Sequence, residues 1–240
     1  MAYLKYPNDD FLNTARGLMR NSSVRNIFGY NSLVGTTFIP GWERNTAYTY
    51  PSANLVMGVT SSNTADTAVQ VSVQGLDSNY EPVSEVVTLN GTNTVNTTNK
   101  FFRINDVITV AGNATGRVSI ANTGTIYAQI RPGDGRNQAS IFTVPAGNAF
   151  YLNRISAFCA SAALNNRTLA FRNFVTLPNG VSFRVAQTEF LEQMIIDRQY
   201  PFKYSEKSDI QFQLKGSAGS QFIGVFGEGI LIDEEGTGLR

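Results

Sequence analysis

Ile210-Gln211-Phe212-Gln213-Leu214-Lys215 alternates apolar and polar side chains without a break. Successive side chains of a strand point to opposite faces, so this stretch reads as a strand with one buried and one wet face. The same texture extends back through the chain. Val69, Val71 and Val73 are separated by polar residues, and Leu55-Val56-Met57-Gly58-Val59-Thr60 is a short apolar run. Tyr48 and Tyr50 read as the first such strand, and others fit Glu85–Leu89, Phe101–Ile104, Val107–Ala111, Arg117–Ala121 and Thr125–Ile130. Turn chemistry separates them: Asp and Asn stabilise bends in Leu76-Asp77-Ser78-Asn79-Tyr80-Glu81-Pro82, and Asn90-Gly91 is a hairpin dipeptide. Short strands recurring about every ten to twelve residues form an antiparallel sandwich or barrel. No helical crossovers interrupt them, which disfavours a parallel α/β sheet.

Residues 131–138, Arg-Pro-Gly-Asp-Gly-Arg-Asn-Gln, contain no apolar side chain and mark a surface connection. Beyond them a second β block reads through Ser140–Val144, Phe150–Ala160, Thr168–Thr176, Val181–Thr188, Asp209–Lys215 and Phe222–Ile232. Glu189–Asp197 reads as a short helix with Phe190, Leu191, Met194 and Ile195 on one side. The fold class is therefore all-β, with one or two antiparallel sandwiches. The preferred division is one sandwich over 45–136 and a second over 137–240.

The first 44 residues read differently. Asn8, Asp9 or Asp10 can cap a helix over about 9–20, where Phe11, Leu12, Ala15, Leu18 and Met19 share one face. From Asn21 to Arg44 the chain is rich in Asn, Ser, Gly and Thr, yet carries Ile27, Phe28, Phe38, Ile39 and Trp42. That is too much apolar surface for a disordered linker. An irregular segment of this kind lines its own domain or embraces a neighbouring subunit. The expectation is an N-terminal arm, with Phe11, Leu12, Leu18, Phe28, Phe38 and Trp42 as its interface anchors. On that reading, deleting residues 1–44 leaves a soluble β protein that no longer joins its assembly.

Composition narrows the chemistry. The 240 residues include no histidine and one cysteine, which removes Ser-His-Asp and Cys-His nucleophilic sites, Cys₂ zinc sites and an intrachain disulfide. Cys159, in Ala157-Phe158-Cys159-Ala160, reads as a small buried hydrophobe. Nineteen basic against eighteen acidic residues leave a net charge of +1, with no sign of a nucleic-acid or anionic-membrane partner. Asp9 and Asp10 stand where an export signal has its apolar run, and no run approaches the length of a membrane span. Synthesis in a cytoplasm is expected.

Remaining motifs are weak. Glu81, Glu85, Asp77, Asp106, Asp134, Glu189, Glu192 and Asp209 could in principle supply a carboxylate pair, but no spacing fixes one. Asp77, Asn79 and Glu81 present oxygen donors at alternate positions, as calcium loops do, but lack the mid-loop glycine and distal glutamate of an EF-hand. A self-capped turn is the simpler reading, so no metal and no cofactor are expected. Gly133-Asp134-Gly135-Arg136 lacks the Gly-Lys-Ser/Thr ending of a P-loop. Arg167, Arg172 and Arg184 near Phe171, Phe174 and Phe183 read as the wet face of a sheet or a subunit contact. Exposed Tyr with abundant Asn, Thr, Ser and Gln suits binding by shape and neutral hydrogen bonds, to protein or to sugar.

Several phrases together resemble structural proteins of aquatic tailed bacteriophages, cyanophages among them. They are Val73-Gln74-Gly75-Leu76-Asp77-Ser78-Asn79-Tyr80, Val86-Val87-Thr88-Leu89-Asn90-Gly91-Thr92, Phe102-Arg103-Ile104-Asn105, Phe142-Thr143-Val144-Pro145-Ala146-Gly147 and Glu206-Lys207-Ser208-Asp209-Ile210, spread over roughly residues 45 to 232. The resemblance implies jelly-roll-like β-sandwiches, a place in the virion and no enzymatic activity. Its partners would be copies of itself in symmetric oligomers, trimers among them, and other virion proteins such as the major capsid or tail proteins. Capsid cement or decoration is the first expectation and a tail, neck or baseplate component the second. A host-glycan-binding module is the rival from a different class, and a carboxylate hydrolase a distant third.

Overall fold

The computed structural model describes residues 10–160, 168–217 and 221–234. A short helix, α1 (Asp10–Ala15), is followed by β1 (Ser22–Val34), β2 (Ile39–Pro40), β3 (Leu55–Ser61), β4 (Gln70–Leu76), β5 (Pro82–Thr88), β6 (Val95–Phe101), β7 (Arg103–Ala111), β8 (Val118–Asn122) and β9 (Thr125–Ile130). The second half comprises β10 (Ile141–Thr143), β11 (Asn148–Ala160), β12 (Leu169–Thr176), β13 (Ser182–Phe190), β14 (Gln193–Tyr204), β15 (Asp209–Gly216) and β16 (Gln221–Asp233). All the strand pairings are antiparallel.

Four sheets form. A first sheet runs β1-β16-β11-β14, and a second runs β10-β15-β12-β13 with β2 added on β15. They enclose one core containing Phe150, Leu152, Ile155 and Val225 from the first sheet and Phe171, Ile210, Phe212 and Leu214 from the second. The alternation around Phe212 thus does what its sequence requires: Ile210, Phe212 and Leu214 face inward. Gly227 makes the close packing of these sheets possible, because a Cβ there would stand 2.3 Å from the Phe212 ring. A third sheet, β6-β3-β8-β9, and a fourth, β5-β4-β7, enclose a separate core of Met57, Val59, Val71, Val73, Val107, Ile120 and neighbours.

The inner sandwich (β3 to β9) is an insertion in the outer one. The chain leaves the outer sandwich after β2 and returns at β10, and the two crossings are bonded to each other. Ser140 donates its backbone N–H to the Gly41 carbonyl at 2.7 Å. Its hydroxyl accepts from Gly41 N and donates to Phe212 O, both at 2.7 Å. Residues 132–136 are exposed, as a surface connection should be.

Four expectations are corrected. Residues 22–34 are not an irregular arm but a strand registered along β16, from Ser22↔Ile232 to Val34↔Gln221. Their apolar side chains line their own domain, with Ile27 and Val34 in the outer core. The helix over 9–20 ends at Ala15, because Gly17 takes φ +69°, the left-handed conformation that stops a helix. Glu189–Asp197 is no helix: β13 ends at Phe190 and β14 begins at Gln193. Phe190 and Met194 enter the core from the two strands, while Leu191 sits exposed at the bend. The strand read at Tyr48 and Tyr50 is irregular chain, whose rings pack edge-on to one another at 5.0 Å.

Candidate functional site

Side chains paired across a sheet share a face, so register maps the outer surface of the first sheet row by row. One row reads Val24, Ile230, Tyr151, Lys203 across the four strands. The next reads Asn26, Glu228, Arg154, Asp197, and the third Phe28, Phe226, Ser156, Ile195. Tyr30, Gly224, Phe158 and Gln193 make the fourth. Phe28 and Phe226 pack with rings tilted by 33° and centroids 4.4 Å apart, and Phe158 stacks on Phe226 at 5.8 Å. Phe158, Phe222 and Ile195 are 43%, 47% and 47% exposed. An aromatic plate therefore spans three strands on the solvent side of a rigid sheet, crossed by one charged row. The outer face of the second sheet is different in kind, being cationic and amide-rich. There Arg172 bonds Gln213 and lies 4.3 Å over the Phe38 ring, and Arg184 bonds Gln187.

The anticipated interface anchors are scattered by the fold. Trp42 is 2% exposed, packed against Tyr48, Ala139 and Ile141, with its indole N–H donated to Thr46 O at 2.8 Å. It is a core residue of this chain and leaves no ring area for a neighbour, which corrects that assignment. Phe38 is half-buried under Arg172 and Lys215. Leu18 is half-buried and Leu12 exposed, near the start of β1, while the Phe11 side chain lies outside the described residues. Only Phe28 belongs to the aromatic plate. Phe158, Phe222, Phe226 and Ile195 carried no weight in the sequence reading. Their signal was present in β16, where Phe222-Ile223-Gly224-Val225-Phe226 is apolar in both parities. A strand of an antiparallel sheet that is apolar on both faces has a second face to cover.

Of the acidic candidates, Asp77, Glu85, Asp106, Asp134 and Asp209 are engaged in structure. The Asp77 Oδ1 accepts from the backbone N–H groups of Asn79 and Glu81 at 2.8 and 3.0 Å, the self-capped turn foreseen for that stretch. Among the described residues no group of three His, Cys, Asp or Glu could hold a metal ion. Glu85 accepts from the N–H groups of Thr98 and Asn99, and Asp134 pairs with Arg131. Burial alone would raise the Asp66 carboxyl, but bonds from Ser61, Thr115 and Gly116 outweigh it and hold the pKa at about 2. Asp106 is clamped by Arg136 through two bonds, with Arg25 at 4.0 Å. Asp209 takes a two-pronged bond from Arg103 at 2.8 and 2.9 Å. Arg25 and Asp209 come from the outer sandwich and Asp106 and Arg103 from the inner, so these pairs join the two. Cys159 is half-buried against the outer core, which raises its thiol pKa and leaves it protonated at neutral pH.

A cleft of about 870 Å³ opens between the 78–81 turn and the 146–148 and 203–207 segments. Tyr80, Glu81, Asn148 and Lys207 line it, and Lys203 at its edge is paired with Glu234 at 2.5 Å. No helix among the described residues is long and apolar enough to cross a membrane.

No family model and no curated protein matches this chain. Among solved structures it is similar to infectious bursal disease virus, Gx strain, at 12% identity and TM-score 0.27, covering 88% of this chain and 72% of that one. A crystal structure of the VP2 subviral particle of the same virus aligns at 12% identity and TM-score 0.23, covering 91% and 74%. These TM-scores fall below that of a shared fold.

One buried acid has a measurable consequence. Glu43, at the crossing into the inner sandwich, accepts from the Gln138 N–H with one oxygen, while the other is sealed from solvent without a partner. Burial raises its pKa from 4.5 to about 7, against the opposing pull of the Gln138 bond and Arg131. A carboxyl whose pKa is raised on folding favours the protonated fold. Its contribution is complete below about pH 4.5 and is lost as pH rises to about 7, a fall of about 3 kcal/mol. Urea midpoints at pH 5 and 7.5 should show most of that fall, about 2 kcal/mol, and Glu43→Gln should flatten it. An unchanged pH profile in Glu43→Gln would assign the effect to another group.

Proposed function

We propose that this chain is a non-enzymatic structural component of a tailed-bacteriophage virion, a capsid cement or decoration protein that acts through subunit contacts. The observation that carries this reading is the aromatic plate Phe28–Phe226–Phe158 on the outer face of a long-stranded sheet. Monomers rarely leave contiguous apolar patches of this kind uncovered, and such patches mark interaction sites. The order of strand-and-turn phrases resembling phage structural proteins supports the same reading. So does the engagement of the buried carboxylates Asp66, Asp106 and Asp209 in holding strands and sandwiches together.

The test is to purify the particles whose genome encodes the chain, identify it by mass spectrometry and locate it by electron microscopy. A shell position with dozens to hundreds of copies is the expected result. A few to a dozen copies would move it to the neck or tail. Absence from particles, with turnover of a host polysaccharide by the purified protein, would overturn the reading.

A further inference from the structure

We infer that the outer face of the first sheet is self-complementary, and that two copies of this chain pack through it face to face about a two-fold axis parallel to the strands. The inference rests on the structural reading above and names the partner for that surface. Consider an axis lying between β16 and β11. It sets β16 of each copy over β11 of the other and keeps every row on itself. Glu228 then meets Arg154 of the second copy, twice by symmetry, in the middle of the apolar face. Phe226 meets the small Ser156, a large side chain over a small one, and Phe28 meets Ile195. Glu228 forms no ion pair among the described residues, whereas Arg154 is already held in place by Asp197 at 3.3 Å. Glu228 and Arg154 are also cross-strand neighbours within one copy, so each face presents this charged pair side by side, and the axis inverts its order to set each acid over the second copy's base. An axis through the same row but across the strands would set Glu228 against Glu228, which charge repulsion disfavours.

The area suffices. Four strands about 4.8 Å apart, over four rows spaced by two residues, give roughly 500 Å² per copy, or about 1,000 Å² per pair, the threshold that a specific interface has to clear. An isologous face closes on itself, so the unit is a pair rather than the trimer considered from sequence.

Sedimentation of the full chain across micromolar concentrations should show the pair. Glu228→Arg and Arg154→Glu should each sediment as monomers, with unchanged circular dichroism, because each sets like charges across the axis. Mixing the two variants should restore pairing, since each then supplies the charge the other needs, and neither variant alone can do so. A wild-type monomer at high concentration would overturn the inference, whatever covers the face in the particle. So would variants that pair normally. Either outcome leaves the virion role standing or falling on particle composition alone, which is measured separately.

Discussion

A chain lacking residues 1–44 is expected to lose the outer sandwich and aggregate, rather than leave the soluble β remnant that an arm would leave. The truncation removes β1 from its full register along β16 and β2 from β15. It also takes Ile27, Val34, Ile39 and Trp42 out of buried positions. Together these four side chains are worth on the order of 10 kcal/mol of burial, comparable with the net stability of a whole domain. What remains exposes the long edge of β16 with its unpaired N–H and C=O groups, a template for aggregation. The complementary change should be mild. Replacing residues 46–136 with a short flexible linker keeps every strand of the outer sandwich, and the flanking chain is already joined by the Ser140–Gly41 bonds; Asp209 loses Arg103 but, with the inner sandwich gone, faces water rather than a sealed junction. Solubility and a cooperative urea transition measure both variants. A folded 45–240 fragment would show that β1 is dispensable and return these residues to the role of an arm.

Strand content was legible because the period is local. β15 and β12 alternate cleanly, and β16 is apolar enough to read as a strand in either parity. β1 was not, for a physical reason: both of its faces are in use. Ile27 faces the outer core, while Arg25 turns to Asn105 of the inner sandwich and Asn31 to Arg44. Val24 and Phe28 point outward, so neither parity is purely apolar. Its partner is β16, at the other end of the chain, and no local pattern announces a pairing at that distance. β6 was passed over because Asn96-Thr97-Thr98-Asn99-Lys100 looks like a polar loop. Its edge position tolerates that composition, and the Glu85 carboxylate binds its backbone. The helix read at Glu189–Asp197 failed for the opposite reason. Phe190 and Met194 have helical spacing, but they belong to two strands and reach the same core across a bend. As for the outer plate, its residues were visible but their shared face was not, since it exists only once four distant segments are in register.

Arg103→Leu is expected to cost about 3–5 kcal/mol, the usual price of stranding one partner of a buried pair. Arg103 comes from β7 and Asp209 from β15, each under 10% exposed. Burial pulls the guanidinium down, but the bonds and charge of Asp209 outweigh it and raise its pKa above the ordinary value. Its remaining nitrogen donates to Phe102 O and Pro51 O, and its plane lies 4.1 Å over the Phe102 ring and 4.7 Å from that of Tyr50. Leucine would leave the Asp209 carboxylate with the Thr143 hydroxyl as its one side-chain donor. Removing both charges, in Arg103→Leu with Asp209→Leu, should cost clearly less than the sum of the two single changes, because neither ion is then stranded. Urea unfolding gives all three values. Because the pair spans the two sandwiches, hydrogen exchange should show the inner one keeping its protection while the outer opens more readily. A loss below about 1 kcal/mol in Arg103→Leu would place the union of the sandwiches elsewhere, on the paired Asn105–Thr143 bonds and the Arg136–Asp106 clamp. That result would make the junction a distributed one, in which no single side chain holds the insertion in place.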